Sequence, residues 1–164
     1  MFDAIVELSG IVPGDRVLDT GAGTGKATES LLARGFDVTA VEPSAEMANV
    51  LRARFPALSV HVSNFEDCDL PAHSYTVITA AQSWHWVDPG KGPRKAHTLL
   101  RPGGWLALFW NQALLDDCEW HDDLQPIYAR ITPEMTHDKL APQQDAGVQI
   151  QFASLRASGL FDEP

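Results

Sequence analysis

Three groups of residues in this 164-residue chain have the types and spacing that chemistry at a binding site requires. Asp19 comes first, at the end of an apolar run, and glycines follow it at positions 21, 23 and 25. Glycine is needed where the backbone takes a positive φ or where a Cβ would collide with a ligand. Glu42 stands 17 residues beyond the last of these glycines, and His85 lies between two tryptophans. A closely approached loop, a carboxylate that accepts hydroxyl groups and an imidazole together predict a site for a small polar molecule.

The glycine loop differs from two common phosphate-binding loops. A P-loop needs a glycine at the position of Thr20 and a hydroxyl residue at the position of Ala27, so the Gly25-Lys26 pair alone does not make one. A dinucleotide-binding loop places its third glycine at the position of Lys26, one residue later than in this chain. An NAD(P)-dependent oxidoreductase therefore stays open only as a weaker alternative, without a Tyr-x-x-x-Lys pair to support hydride chemistry.

The pattern Asp19-x-Gly21-x-Gly23-x-Gly25 after a hydrophobic strand resembles that of the class I S-adenosylmethionine-dependent methyltransferases. The resemblance implies S-adenosyl-L-methionine as the cofactor. It implies that the loop, including Ala22, passes under the methionine and ribose, and that Asp19 helps to hold the positively charged amino-acid end. Glu42, at the end of the next strand pattern, is then expected to accept both ribose hydroxyls in a bidentate arrangement.

The resemblance places the adenine against the loop that follows the third strand pattern. Many members carry an acidic residue at the position of Asn64, whereas the glutamate of this chain falls at Glu66, which the resemblance also assigns to the cofactor site. The amide oxygen of Asn64 is expected to accept from the adenine amino group. Phe65 is expected to pack on the adenine ring and to offer its backbone N–H to a ring nitrogen. The alternative for this segment is an ordinary solvated turn.

Residues 79–88 are similar to the fourth-strand exit of a small-molecule branch of the class, of the methyltransferase type 11 kind, in which Ala-Ala-Gln leads into His-Trp. The resemblance assigns Ala81 and Gln82 to the cofactor site. Trp84, Trp86 and Asn111 are expected to line the acceptor pocket. His85 is the candidate catalytic base, and a structural hydrogen-bonding role is its alternative. The run Leu100-Arg101-Pro102-Gly103-Gly104 matches the segment that precedes the fifth strand in this class.

The elements that position these residues alternate between strand and helix patterns. Ser44 is an expected N-cap for a helix that ends at Pro56 and whose apolar stripe is formed by Met47, Val50, Leu51 and Phe55. Pro93 can open a helix that runs through Leu100. Apolar strands joined by helices predict an α/β fold of Rossmann-like, doubly wound type, with a mostly parallel sheet and helices on both faces. The apolar runs that predict the five strands end at Asp19 or cover residues 37–41, 58–62, 75–81 and 105–110.

The end of the chain leads to a second hypothesis. Residues 1–111 are expected to form the cofactor-binding core, and residues 112–164 a helical lid or partial C-terminal segment of the same domain. The class continues with a strand hairpin that is missing here, which leaves residues 105–110 as a hydrophobic edge open to homo-oligomer formation. A truncated, noncatalytic remnant that binds cofactor or self-associates is therefore the alternative. The acidic run 116–123 is interpreted as a solvated helix start and not as a metal site.

Composition limits the partners. The formal net charge is −10, which opposes binding to a phosphate backbone, so no nucleic-acid partner is expected. Cys68 and Cys118 are far apart and lack the spacing of a zinc site or a disulfide framework. The chain shows no signal-peptide pattern and no apolar run of membrane-spanning length, so a cytoplasmic protein without a membrane partner is expected.

Overall fold

The structure is a computed structural model that describes residues 2–111, 121–133 and 137–162. Strands and helices alternate along the first two thirds of the chain, as the sequence predicts, except that no helix separates the third strand from the fourth. The strands are β1 Arg16–Thr20, β2 Asp37–Val41, β3 Ser59–His61, β4 Tyr75–Ala81 and β5 Leu100–Phe109. The helices are α1 Phe2–Ser9, α2 Lys26–Leu32, α3 Ala45–Arg54, α4 Gly92–Leu99, α5 His121–Ile131 and α6 His137–Ser158.

The five strands form one sheet in the order β3-β2-β1-β4-β5, and every neighbouring pair is parallel. The chain builds outward from β1 to β3 and then returns to add β4 on the other side of β1. This reversal creates a crevice at the carboxyl ends of β1 and β4, which is where ligands bind in open parallel sheets. The predicted α/β, doubly wound fold is confirmed.

Successive side chains along each strand point to opposite faces of the sheet, and helices cover both faces. Val17 and Val77 point into a cluster with residues of α1 and α2, whereas Leu18 and Ile78 point into a second cluster with Ala96 and Leu99 of α4. These strand residues are fully buried, as is expected when helices cover both faces of a parallel sheet. The core therefore fixes the strand ends that carry the candidate site.

Strand β5 begins earlier than the sequence predicts. Leu100 already pairs with Tyr75, and the next pair is Trp105 with Val77, so β5 accommodates extra residues in a register shift. The Arg101-Pro102-Gly103-Gly104 run lies in this irregular start and not in a turn before the strand. Gly104 is needed there because a Cβ would lie 2.9 Å from the carbonyl oxygen of Arg101. Among the described strands, β5 lies at the edge of the sheet.

Helix α3 starts as predicted, but only part of its predicted apolar stripe is buried. The Ser44 hydroxyl caps its N-terminus by accepting from the Met47 backbone N–H at 3.3 Å. Met47 and Val50, expected in the apolar stripe, are nearly half exposed, whereas Ala48 and Leu51 are buried. The stripe prediction was wrong at these two positions because the small Ala48 allows the helix to lie close to the sheet.

The described residues divide into two compact units. The first unit contains the chain up to Trp110 together with the segment from Ser154 onward, and the second runs from Asn111 to Ala153. This division differs from the predicted boundary at residue 111, because Leu155 and Phe161 pack against the core of the first unit. Gly159 follows the end of α6 and has a φ of +64°, the left-handed conformation that commonly ends a helix. Within the described ranges, no helix is long and apolar enough to cross a lipid bilayer.

Candidate cofactor-binding site

The loops that follow β1, β2, β3 and β4 meet at the carboxyl edge of the sheet. Hydrogen bonds tie each loop to a neighbour. The backbone N–H groups of Gly21 and Ala22 both donate to the Val41 carbonyl, at 2.8 and 3.2 Å, and Glu42 donates its backbone N–H to His61. The Glu66 carboxylate accepts from the Asp88 backbone N–H, which joins the third loop to the fourth. The predicted cofactor-binding residues therefore belong to one connected edge.

The amide groups of the glycine loop are directed at the protein. Besides the two N–H groups held by Val41, Gly23 donates to Glu42 Oε2 at 2.7 Å, and Gly25 donates to the Ala22 carbonyl at 2.9 Å. A loop that cradles a phosphate must point several free N–H groups at the anion. With these four committed to carbonyl and carboxylate oxygens, the arrangement opposes a bound phosphate or pyrophosphate.

The three glycines are required for different reasons. All have positive φ, at +63°, +58° and +90° for Gly21, Gly23 and Gly25. A Cβ on Gly21 would collide with the Ser83 side chain, and one on Gly25 would lie 2.5 Å from Leu51. A Cβ on Gly23 would meet nothing within 4 Å. Packing thus explains the outer two glycines, whereas Gly23 borders open space where a ligand can approach.

Asp19 lies behind the loop and is 0% exposed. Its Oδ2 accepts from the Thr28 hydroxyl at 2.6 Å, and its Oδ1 accepts from the Thr79 hydroxyl at 3.1 Å. Burial raises the pKa of Asp19 from 3.8 to about 6, the two threonine bonds oppose that rise, and the charge of Glu42 adds to it. The contact between Asp19 and the amino-acid end of a cofactor stays a prediction.

Glu42 combines burial with hydrogen-bonding capacity. Only 5% of it is exposed, and Oε1 accepts from the Ser44 backbone N–H at 2.8 Å while Oε2 holds Gly23. Each carboxylate oxygen can accept more than one hydrogen bond, so both retain capacity for a ribose hydroxyl. The fixed orientation of the carboxylate is compatible with the bidentate role that the sequence predicts.

The residues predicted for the site in the loop after β3 differ in their exposure. Asn64 is exposed, and its Nδ2 donates to Asp67 at 3.4 Å, which leaves the amide oxygen as the acceptor that adenine recognition needs. The Phe65 ring is buried against Trp84, with centroids 5.6 Å apart, so its expected packing on adenine is not what the structure shows. Only the backbone part of the Phe65 prediction is left.

The residues predicted for the site at the end of β4 also lie in different environments. Trp84 is 1% exposed and lies in the core with Phe65 and Leu99, so its predicted place in the wall of the acceptor pocket was wrong. The turn Trp84–Trp86 sends alternate aromatic side chains inward and outward. Ala81 is half-buried at the end of β4, and Gln82 is exposed with a φ of +56°, a strained conformation for a residue with a Cβ.

His85 and Trp86 remain on the surface near the crevice. Trp86 is 83% exposed, and its ring centroid lies 5.0 Å from that of His85. His85 Nδ1 accepts from the Trp110 indole N–H at 3.4 Å. Because that bond engages a ring lone pair, the neutral imidazole carries its proton on Nε2 in this arrangement. The predicted base role requires a free lone pair and stays a prediction.

Sequence reasoning missed the residues that support the site from behind. Ser83 donates its hydroxyl to the Thr20 carbonyl at 2.6 Å and packs against Gly21, while Thr28 and Thr79 hold Asp19. Thr79 is the register partner of Asp19, a relation that a single sequence does not reveal. Thr28, three residues after Gly25, is the one that helix spacing alone could have suggested.

Two predictions concern the second unit. Asn111 is exposed there, and its expected pocket role stays a prediction. Residues 112–120 of the predicted lid and most of the acidic run 116–123 lie outside the described residues. In the part of the chain that the structure does describe, no three metal-ligating side chains come close enough to hold an ion.

The residues present fit S-adenosylmethionine. Its cationic amino and sulfonium groups suit an edge where the charges of Asp19 and Glu42 interact, and its ribose hydroxyls suit the spare capacity of Glu42. The open space beside Gly23 gives a ligand access to the backbone. These protein groups are therefore complementary to a cationic nucleoside.

Comparison with known proteins gives the same assignment. Residues 18–108 match the family model described as a methyltransferase domain. An uncharacterized methyltransferase of Mycobacterium tuberculosis is 48% identical over 96 residues, 58% of this chain and 40% of the relative. The ubiquinone biosynthesis O-methyltransferase of Acinetobacter baylyi is 33% identical over 109 residues, 61% of this chain and 45% of the relative. The chain thus spans less than half the length of these curated relatives.

A solved structure supports the fold. A crystal structure from Methanococcus maripaludis, described as a candidate S-adenosyl-L-methionine-dependent methyltransferase, superimposes with a TM-score of 0.66. The match covers 93% of this chain and 73% of that one at 15% identity, so it concerns the fold alone. The family match covers more than half of the chain and includes the glycine loop, Glu42 and the β4 exit. The chain belongs to the class I S-adenosylmethionine-dependent methyltransferases, within the methyltransferase domain family.

Proposed function

We propose that this chain binds S-adenosylmethionine at the carboxyl edge of the sheet and transfers its methyl group to a small-molecule acceptor. The observation that carries the proposal is the commitment of the glycine-loop amides to the protein, with Gly23 held by Glu42. This arrangement presents a carboxylate where phosphate-binding loops present free N–H donors. It favours a cationic nucleoside over an anionic dinucleotide.

The cofactor supplies, when bound, a methyl group activated by a positively charged sulfur. Glu42 accepts the ribose hydroxyls, Gly23 lets the ligand approach the loop, and the amide oxygen of Asn64 accepts from the adenine amino group. Asp19 provides negative charge toward the amino-acid end. Gln82 and Ala81 border the cofactor from the end of β4, and Glu66 holds the loop after β4 in place through Asp88.

The acceptor side is proposed to be formed by the outward-facing aromatic groups. Trp86 offers an exposed indole, and His85 stands beside it with a hydrogen bond from Trp110. Aromatic faces favour planar or cationic acceptors. The Acinetobacter relative is named for ubiquinone biosynthesis, which agrees with a planar acceptor, and Asn111 is retained as a candidate contact. The cytoplasmic location expected from the sequence stays a prediction.

Calorimetric titration tests the cofactor half of the proposal. Saturable heat is expected with S-adenosylmethionine and S-adenosylhomocysteine, and none with NADH. The Glu42→Gln variant is expected to bind about tenfold to a hundredfold more weakly, because it loses charge-assisted hydrogen bonds. Glu46→Gln, an exposed glutamate at the start of α3, is the matched control and should bind like the wild type. Saturation with NADH alone would overturn the assignment.

Transfer of a labelled methyl group tests the acceptor half. Hydroxylated aromatic compounds and small amines are compared with duplex DNA and with an unstructured protein substrate. Label is expected only in the small molecules. Cofactor binding without transfer to any acceptor would instead favour the noncatalytic alternative, and label in DNA or protein would contradict the proposed acceptor class.

A further inference from the structure

The Asp19 carboxylate is buried without a cation to neutralise it. The ion pairs in the described part of the chain do not include it, and the groups that contact its oxygens are the hydroxyls of Thr28 and Thr79. A hydroxyl donates a hydrogen bond to a carboxylate but leaves its charge in place. Such a charge is costly inside a protein unless it is paired. The fold therefore keeps a negative charge behind the glycine loop that a cationic ligand can neutralise.

The two threonines reach Asp19 from different elements. Thr79 lies beside it in the parallel pairing of β1 with β4, and Thr28 lies in the first turn of α2, three residues after Gly25. Both are 0% exposed. Their bonds fix each carboxylate oxygen separately, so the carboxylate has one orientation relative to the loop. A ligand at the loop then meets a charge of fixed position.

We infer that Thr28 and Thr79 are positioning residues for cofactor binding, which act by holding Asp19 as a fixed carboxylate behind the glycine loop. The inference rests on the proposed function and deepens it. It assigns the two hydroxyls a role through Asp19 and gives them no contact with the ligand. Loss of either hydroxyl favours the protonated form of Asp19, which has no charge to offer a cation.

The charges around Asp19 decide how its protonation responds to pH. From β2, Glu42 adds a second negative charge, which also favours the protonated form of Asp19. From α2, Lys26 stands at the helix start, and the Glu29 carboxylate pairs with Arg54 at 2.8 Å. From β4 and β2, the register partners beside Asp19 are Thr79 and Ala40, and Glu42 is the charged group that acts on its pKa. The threonine bonds are therefore the contacts that oppose protonation of Asp19 from β4 and α2.

The test is calorimetric titration with S-adenosylmethionine from pH 5.5 to 8.5. The variants are Thr28→Val and Thr79→Val, which keep the shape and remove the hydroxyl. Both are expected to bind nearly normally at pH 8.5. At pH 6.5 they are expected to bind about threefold more weakly than the wild type, because loss of a hydroxyl raises the pKa of Asp19 further and leaves less of it charged at that pH. Thr28→Ser and Thr79→Ser restore the hydroxyl and should restore the wild-type pH profile.

Thr76→Val is the matched control. It removes a buried hydroxyl from the start of the same strand, about 10 Å from position 79, and should leave the pH profile unchanged. Asp19→Asn provides a measurement that does not depend on how the valine variants fold. Its binding should be weak at every pH and should lack the change near pH 6.

The outcomes separate this inference from the proposed function. Wild-type binding together with valine variants whose losses are equal at every pH would overturn the inference alone, because a purely structural defect behaves in that way. An Asp19→Asn variant with the wild-type pH profile would also overturn it. No binding of S-adenosylmethionine by the wild type at any pH would overturn the proposed function and this inference together.

Discussion

The donor side and the acceptor side of the candidate site are built in opposite ways. On the donor side, Asp19 and Glu42 are 0% and 5% exposed, and their oxygens are held by hydroxyl and amide groups. On the proposed acceptor side, Trp86 is 83% exposed, and His85 accepts a 3.4 Å hydrogen bond from Trp110 and lies against the Trp86 ring. Buried polar bonds fix the first region, whereas the second offers surface that few described contacts restrain. Under the proposed assignment, the structure fixes the donor side more tightly than the acceptor side.

The substitution with the largest expected effect on this contrast is Trp84→Ala. Trp84 comes from the acceptor-side segment, yet its ring is buried in the core beside Phe65. Its truncation should lower the free energy of unfolding by about 4 kcal/mol, because it leaves a large cavity. Chemical denaturation measures the effect. A loss below about 1 kcal/mol would mean that Trp84 is not a core residue and that the acceptor side includes it after all.

The next test compares two glycines of the donor side. Gly21→Ala should cost about 3 kcal/mol of stability, because its Cβ collides with Ser83 and its φ is positive. Gly23→Ala should cost about 1 kcal/mol, since only the backbone strain applies there. In a cofactor titration, Gly23→Ala should lose affinity for S-adenosylmethionine although the protein is still folded. Equal stability losses at both positions would remove the distinction between a packing glycine and a ligand glycine.

The third test uses pH on the donor side. The pKa of Asp19 is raised to about 6 by burial, so the folded state binds a proton more tightly than the unfolded state does. The stability that this group contributes is present below pH 4 and is lost as pH rises through 6. As the pH rises from 4.5 to 7, the free energy of unfolding of the wild type should fall by about 2 kcal/mol relative to that of Asp19→Asn. The measurement is the difference between the two unfolding free energies at each pH, and a constant difference would contradict the burial argument.

The fold and the backbone of the glycine loop could largely be predicted from the sequence, because both depend on local patterns. Apolar runs ending in polar residues located β1, β2 and β4, and the Ser44 cap located α3. The positions of Gly21, Gly23 and Gly25 predicted a loop with unusual backbone angles, which the structure has. Such signals lie within a few residues of the feature that they specify, so one sequence contains them.

The parts that could not be predicted depend on contacts between distant segments. Thr79 meets Asp19 only through strand register, 60 residues along the chain. Phe65 and Trp84 were expected at the ligand because aromatic residues suit that role, but they pack on each other in the core. Residue type does not say which of Trp84 and Trp86 turns inward. Only the geometry of the turn that joins them decides it.

The substitution with the smallest expected effect on stability, Trp86→Ala, tests the acceptor side directly. Trp86→Ala removes a large but exposed ring, so the free energy of unfolding should change by less than about 0.5 kcal/mol. Affinity for S-adenosylmethionine should also stay the same if the indole serves only the acceptor. The KM for an aromatic acceptor should rise several-fold, because the stacking surface is lost. Trp86→Phe keeps an aromatic face and should recover most of that loss. If Trp86→Ala instead weakens cofactor binding while KM is unchanged, the indole belongs to the donor side and the division between the two regions does not hold.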